Sequence, residues 1–167
     1  MNAKAAARFR ILNAAIFFAL TFNIIYFLHE LALVVAGAGL GNDPILLHNN
    51  MHFLNLTQPA QNLAFAAGPV AALLAGLLGL TVYCMIRPSQ RLFKLFLFWL
   101  SYNGLWLFLA QLPEIAFANH GDLARGLAIF NLSQPLRIAG ALLGVAGLIG
   151  LGWFAAKPLL ATAIAAS

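Results

Sequence analysis

Four long apolar stretches constrain this chain more than any other feature of its sequence. They run over about residues 11–37, 61–86, 92–118 and 136–156, and a transmembrane helix needs about 20 such residues. Hydrophobic residues make up 63% of the chain and charged residues 8%, whereas soluble domains carry about 25% charge. The sequence excludes an ordinary soluble domain and predicts an all-α, polytopic membrane protein with four spans, folded as one domain over residues 1–167.

The Lys and Arg residues are concentrated at one end of these stretches. Seven of the nine lie there: Lys4, Arg8, Arg10, Arg87, Arg91, Lys94 and Lys157. The loop over 38–60 has none, and the loop over 119–135 has only Arg125, with Arg137 just inside the fourth stretch. Because basic loops stay in the cytoplasm, this bias predicts cytoplasmic termini in a bacterial inner membrane. Topology accounts for the net charge of +5, and no nucleic-acid partner is expected.

The residues capable of acid–base or metal chemistry lie at the opposite end. They are Glu30, Asp43, Glu114, Asp122, His29, His48, His52 and His120. Ionisable groups at membrane depth are costly and usually face a protein interior, a cavity or a partner. The pair His29-Glu30, near the end of the first stretch, is therefore the main candidate site, with mutual hydrogen bonding as the purely structural alternative.

Three short motifs carry a resemblance to a known family. The segment 29–33 (HELAL), followed by Gly37, resembles the HExxH…G helix of the site-2 protease family of intramembrane zinc metalloproteases. The segment 67–74 (AGPVAALL) is similar to that family's AGPxxN-leucine helix, and Gly121-Asp122, after an aromatic third helix, is similar to its Gly-Asp element. The order, spacing and number of helices agree along most of the chain.

The resemblance implies a zinc ion held by two histidines and an aspartate, with the glutamate as general base. This chain keeps the matching residues His29, Glu30 and Asp122, but it has Leu33 in place of the second histidine and Ala72 in place of the asparagine. A catalytic zinc site needs about three protein ligands and an open position. Two ligands do not form one, so the chain resembles a degenerate member.

The loop over 38–60 offers replacement ligands. His48 and His52 have the i, i+4 spacing that would place both on one face of a short helix. With His29, His120 or Asp122 nearby, they would form an altered metal site. The alternative, which we favour, is an amphipathic turn at the membrane interface that binds no metal. Zinc is therefore a possible cofactor, and none is assigned.

Glycine-rich faces on the second and fourth stretches indicate close helix packing. Gly140 and Gly144 have GxxxG spacing, and Gly68 and Gly76 lie on the second stretch. Small residues let helix backbones approach closely in lipid. We expect these glycines to pack against another helix, either within this chain or in another membrane protein.

The pentapeptide NLTQP at 55–59 returns as NLSQP at 131–135, each time just before an apolar stretch. One interpretation is a helix start used twice, with Thr57 or Ser133 capping the helix and proline in its first turn. The other is a duplicated two-helix unit.

Three functions remain open from the sequence. The one we favour is a non-catalytic accessory, assembly or structural subunit of a larger membrane complex, in contact with lipid and with other membrane proteins. The second is an intramembrane zinc metalloprotease with altered ligands. The third is a small carrier or a haem- or chlorin-binding subunit that uses His29.

Overall fold

The computed structural model describes residues 3–41, 44–47, 50–53, 57–87, 89–117 and 121–164, with side chains described over 8–41, 57–87, 89–117 and 121–156. The α-helices are α1 (Ala3–Gly39), α2 (Gln58–Met85), α3 (Arg91–Gln111), α4 (Asp122–Leu127) and α5 (Gln134–Ile164). Two short strands, β1 (Pro44–Leu47) and β2 (Asn50–Phe53), pair between α1 and α2. Two 3₁₀ helices, Pro113–Phe117 and Ala128–Phe130, flank α4.

The predicted all-α membrane architecture is confirmed, since four helical segments are long and apolar enough to cross a bilayer. They cover Arg8–Gly39, Gln58–Met85, Arg91–Phe117 and Gln134–Ala156. Large apolar side chains stand exposed along them, among them Leu78, Leu143 and Trp153. In water such surface would be unfavourable, but in a bilayer lipid covers it. The chain is therefore an integral membrane protein whose outer surface suits contact with lipid.

The centre of the bundle is the interface between α2 and α3. Gly76 lies against Gly104 and Leu105, whereas Gly79 lies against Leu100 and Ser101. The positions rise along one helix as they fall along the other, so the two helices are antiparallel, as the short 86–90 connection requires. Helix α1 packs on both, and α5 packs on α3 and on the 3₁₀ helix Pro113–Phe117.

The loop over 38–60 differs from the helical alternative. Residues 44–47 and 50–53 of this loop form an antiparallel strand pair in which Ile45 pairs with His52. Residues 50–53 form a strand, so the less favoured alternative, a short helix that places His48 and His52 on one face, is not formed there. The other member of that pair, His48, lies outside the described residues, and only the backbone of His52 is described.

The start of α2 departs from the predicted cap in one respect. Thr57 occupies the N-cap position and Pro59 lies in the first turn, as expected, but the Thr57 hydroxyl makes no capping hydrogen bond. An N-cap side chain bonds the N–H of the second or third helical residue, and Pro59, the second, has no N–H. The Thr57 carbonyl accepts the first hydrogen bond of the helix, from the N–H of Gln61 at 3.0 Å.

A buried polar contact joins α1 to α3 inside the membrane-spanning region. The amide Nδ2 of Asn103 donates to Thr21 Oγ1 at 2.8 Å and to the Phe18 carbonyl at 3.1 Å. Both polar side chains are almost fully buried, at 1% and 0% exposure. Because lipid offers no competing hydrogen bonds, this contact fixes the register between the two helices.

We expect Asn103→Leu to lower the free energy of unfolding by about 1–2 kcal/mol, since interhelical hydrogen bonds in membranes contribute about 0.6 kcal/mol each and up to about 1.7. Asn23→Leu is the matched control, because Asn23 is exposed and donates to the Ala19 carbonyl of its own helix. Unfolding of both variants by denaturant in bicelles measures the difference. Equal losses from the two substitutions would contradict the interhelical role.

Candidate functional site

One group of ionisable side chains forms where α1, α2 and α4 meet. His29 lies on α1 and Asp122 is the first residue of α4, 93 positions later in the sequence. His29 Nε2 lies 3.4 Å from Asp122 Oδ2, and His29 Nδ1 lies 3.3 Å from Glu30 Oε1. We call His29, Glu30 and Asp122 the His29 cluster. The structure thus brings together the three residues on which the family resemblance depends.

Gly68, from the second motif of the resemblance, forms one wall of this cluster. A Cβ at that position would lie 2.6, 2.7 and 2.8 Å from Nε2, Cε1 and Cδ2 of His29. Three nearly equal distances mean that the added atom would sit over the face of the imidazole ring. Gly68 therefore covers that face and leaves the edges of the ring to contact carboxylates.

Helix α4 is held in place by contacts at its start. The N–H of Leu123 donates to Gln111 Oε1 of α3 at 3.2 Å. Gly121, just before the helix, has φ of +87°, a conformation that glycine adopts without strain. A Cβ there would also overlap the Glu114 carboxylate. The Gly-Asp element thus has a conformational reason for its glycine, and Asp122 is positioned by the turn that this glycine makes.

The cluster is partly open on its carboxylate side. His29 is 5% exposed, whereas the side chains of Glu30 and Asp122 are 25% and 26% exposed. Burial raises the pKa of Asp122, and the nearby Glu30 charge raises it further, although His29 and Arg125 act in the opposite direction. The Arg125 guanidinium itself lies over the ring of Phe65, 4.6 Å from its centroid.

The hydrogen-bonding roles of His29 follow from its neighbours. In the neutral ring one nitrogen donates and the other accepts. Glu30 Oε1 lies 3.3 Å from Nδ1 and accepts from it when Nδ1 carries a proton. Nε2 is buried and has no hydrogen-bond partner among the described residues. It lies 3.4 Å from Asp122 Oδ2, and the two groups form an ion pair when the ring is protonated.

Leu33, at the position of the family's second histidine, contributes no polar group to the His29 cluster. It is 2% exposed and packs with Ala64 and Phe65. Ala72, where the family has asparagine, is fully buried, and its carbonyl lies 2.7 Å from where a Cβ on Gly104 would be. Among the described side chains, no three His, Cys, Asp or Glu residues are arranged to hold a metal ion.

The remaining predicted histidine ligands lie outside the residues whose side chains are described. His48 and His120 lie outside the described residues, and the side chain of His52 is likewise not described. Glu114 is on the 3₁₀ helix after α3, beside Gly121.

The four glycines named from the sequence have different surroundings. Gly68 contacts His29, and Gly76 contacts the α3 backbone. A Cβ on Gly144 would lie 2.5 Å from Leu112 Cβ, so this glycine packs against the end of α3 rather than against α2. A Cβ on Gly140 would meet nothing within 4 Å, so the two glycines of the GxxxG spacing do not share one contact.

Sequence reasoning missed Gln111, Gly104 and Asn103. Gln111 ends an apolar helix and gives no signal of its contact with α4. Gly104 and Asn103 did carry a sequence signal, because a glycine beside an amide within an apolar span indicates a contact between helices.

Comparisons of this chain with models of known protein families, with characterised proteins and with solved structures found no match. The resemblance to the site-2 protease family remains a prediction from the sequence motifs.

Proposed function

We propose that this chain is a non-catalytic accessory, assembly or structural subunit of a larger membrane complex, on a degenerate site-2-protease-like scaffold. We further propose that it resides in a bacterial inner membrane with both termini in the cytoplasm. The observation that carries the proposal is the burial of Leu33 against Ala64 and Phe65. An apolar contact occupies the position from which HExxH chemistry draws its second zinc ligand.

The surface of the bundle supports a partner role. Helix α5 packs on one side against α3 and the 3₁₀ helix Pro113–Phe117, and it also carries the exposed side chains of Ile149 and Trp153. Aromatic residues are enriched at protein interfaces. A helix attached along one side offers the rest of its surface either to lipid or to a neighbouring subunit.

The test is purification of the tagged protein from its native membrane in a mild detergent, with mass spectrometry of the proteins that remain bound. We expect one set of membrane subunits at a fixed ratio, and we expect the same set with Glu30→Gln, because assembly does not need a general base. A monomer that purifies alone would contradict the proposal.

The second candidate, an intramembrane metalloprotease with altered ligands, is favoured by one observation. His29 Nε2 is orphaned and lies 3.4 Å from Asp122 Oδ2, and both atoms are of the kinds that bind zinc. This candidate requires about one zinc ion per chain in protein purified without chelator, and loss of proteolysis in Glu30→Gln. Zinc well below one per chain eliminates it.

A further inference from the structure

We propose that the basic end of the bundle binds the phosphate of an anionic phospholipid such as phosphatidylglycerol. The site lies at the start of α3, beside α1. Its direct contacts are the exposed guanidinium groups of Arg87 and Arg91, and the half-buried Arg10 adds positive charge beside them. The site is at the other end of the bundle from the His29 cluster, and it does not depend on whether the chain assembles with other subunits.

The first argument is the turn that joins α2 to α3. The N–H of Gln90 donates to the Arg87 carbonyl at 3.1 Å, and a bond of this kind closes a turn whose ends are less than about 7 Å apart. Arg91 follows directly as the first residue of α3. Lys94 Nζ donates to the Ile86 carbonyl at 3.5 Å, which ties the start of α3 to the end of α2. The turn therefore holds two exposed arginines close together.

The second argument is the alignment of α1 with α3, which brings a third arginine to this turn. The rings of Phe17 and Phe96 are in contact, with centroids 6.0 Å apart, and the buried polar contact described above joins the same helices further along. The two helices therefore run parallel. Arg10 lies seven residues before Phe17, about two turns and 10 Å, so it is on the same face of α1. Arg91 lies five residues before Phe96, about 8 Å, so the two arginines are nearly level.

The third argument is that no acidic side chain of the described residues lies near these arginines. Glu30 lies 20 residues beyond Arg10, and Glu114 lies 23 residues beyond Arg91, so about 30 Å of helix separates each pair. Over that distance the attraction is largely screened, since the Debye length at physiological salt is about 8 Å. Like charges held together repel each other, so an anion from outside these residues stabilises the turn.

The fourth argument is position in the membrane, which favours a lipid over a soluble anion. Helix α2 ends at Met85 and α3 begins at Arg91. Both helices belong to spans, so their connection lies at a membrane surface, where lipid headgroups are found. Met85, Leu92 and Phe93 are 79%, 56% and 48% exposed. A phosphate bound by Arg87 and Arg91 would leave the acyl chains of its lipid to lie along these side chains.

The test is a competition between two lipids that have the same acyl chains. The purified full chain is mixed with equal amounts of dioleoyl phosphatidylglycerol and dioleoyl phosphatidylcholine, and native mass spectrometry counts each lipid retained. One arginine near an anionic membrane surface contributes about fivefold in affinity. Two arginines should therefore give a preference of about tenfold or more for phosphatidylglycerol. A large excess of inorganic phosphate should leave the bound lipid in place.

Variants assign the preference to the turn. Arg91→Gln should reduce the preference about fivefold, whereas Arg91→Lys, which keeps the charge, should retain most of it. The double variant Arg87→Gln with Arg91→Gln should bring it near unity. Arg137→Gln is the matched control, because it removes the same charge near the start of α5, at the other end of the bundle, and it should leave the preference unchanged.

Three results would overturn the proposal. The first is equal retention of the two lipids by the wild-type chain, which decides the matter whether or not the variants fold. The second is displacement of the lipid by inorganic phosphate, which would indicate a site for a soluble anion. The third is an equal loss of preference in Arg137→Gln and Arg91→Gln, because net charge rather than the turn would then set the preference.

Discussion

Replacing Gly104 by valine is expected to disrupt the helical bundle. A Cβ at this position would lie 2.7 Å from the Ala72 carbonyl oxygen and from the Cα and N of Gly76. These are backbone atoms of α2, so no side-chain rotation relieves the clash. Overpacking a core usually lowers the free energy of unfolding by about 1–3 kcal/mol. Because relieving this clash requires a whole helix to move, we expect Gly104→Val to cost about 3 kcal/mol or more.

The chain supplies a matched control on α5. A Cβ at Gly150, also a glycine within a span, would meet nothing within 4 Å. Gly104→Val should lower the thermal midpoint in detergent and reduce the monodisperse fraction on size-exclusion chromatography, whereas Gly150→Val should leave both nearly unchanged. If both variants behave like wild type, α2 and α3 do not pack through Gly104. Losses of equal size would point to a general effect of valine.

The contrast between these glycines marks what the sequence could and could not predict. Small residues in an apolar helix signal close packing, and Gly76 does contact another helix backbone. The sequence does not say which helix is the partner, because that depends on the rotation of each helix about its axis. Gly140 and Gly144 have the strongest spacing signal, yet only Gly144 lies against another helix.

The spans and the candidate site were predictable for different reasons. Bilayer thickness fixes span length, so hydropathy alone located all four helices. The approach of Asp122 to His29 was expected only through the family resemblance, since nothing in the composition links residues 93 positions apart. The strand pair at 44–47 and 50–53 was not anticipated, because the i, i+4 spacing of His48 and His52 fits a helix as well as it fits a turn and a strand.

Replacing Leu33 by histidine is expected to create a zinc site. Positions 29 and 33 share a helix face, and Asp122 already lies 3.4 Å from His29, so the substitution completes the three ligands that a zinc site of this kind needs. Protein purified without chelator should contain about one zinc ion per chain, against well below one for the wild type. Elemental analysis measures the zinc content of each protein. The double variant Leu33→His with Asp122→Asn should contain no more zinc than the wild type.

The stability of the same variant separates metal binding from simple damage. Leu33 is 2% exposed and contacts Ala64 and Phe65, so a polar side chain there costs about 1–3 kcal/mol when unsatisfied. Leu33→Asn carries a similar burial cost with no imidazole. Zinc at 100 times its dissociation constant stabilises a folded protein by about 2.7 kcal/mol. Added zinc should therefore raise the thermal midpoint of Leu33→His and leave that of Leu33→Asn unchanged. A folded, zinc-free Leu33→His protein would contradict the prediction that His29, Asp122 and a histidine at position 33 together form a zinc site.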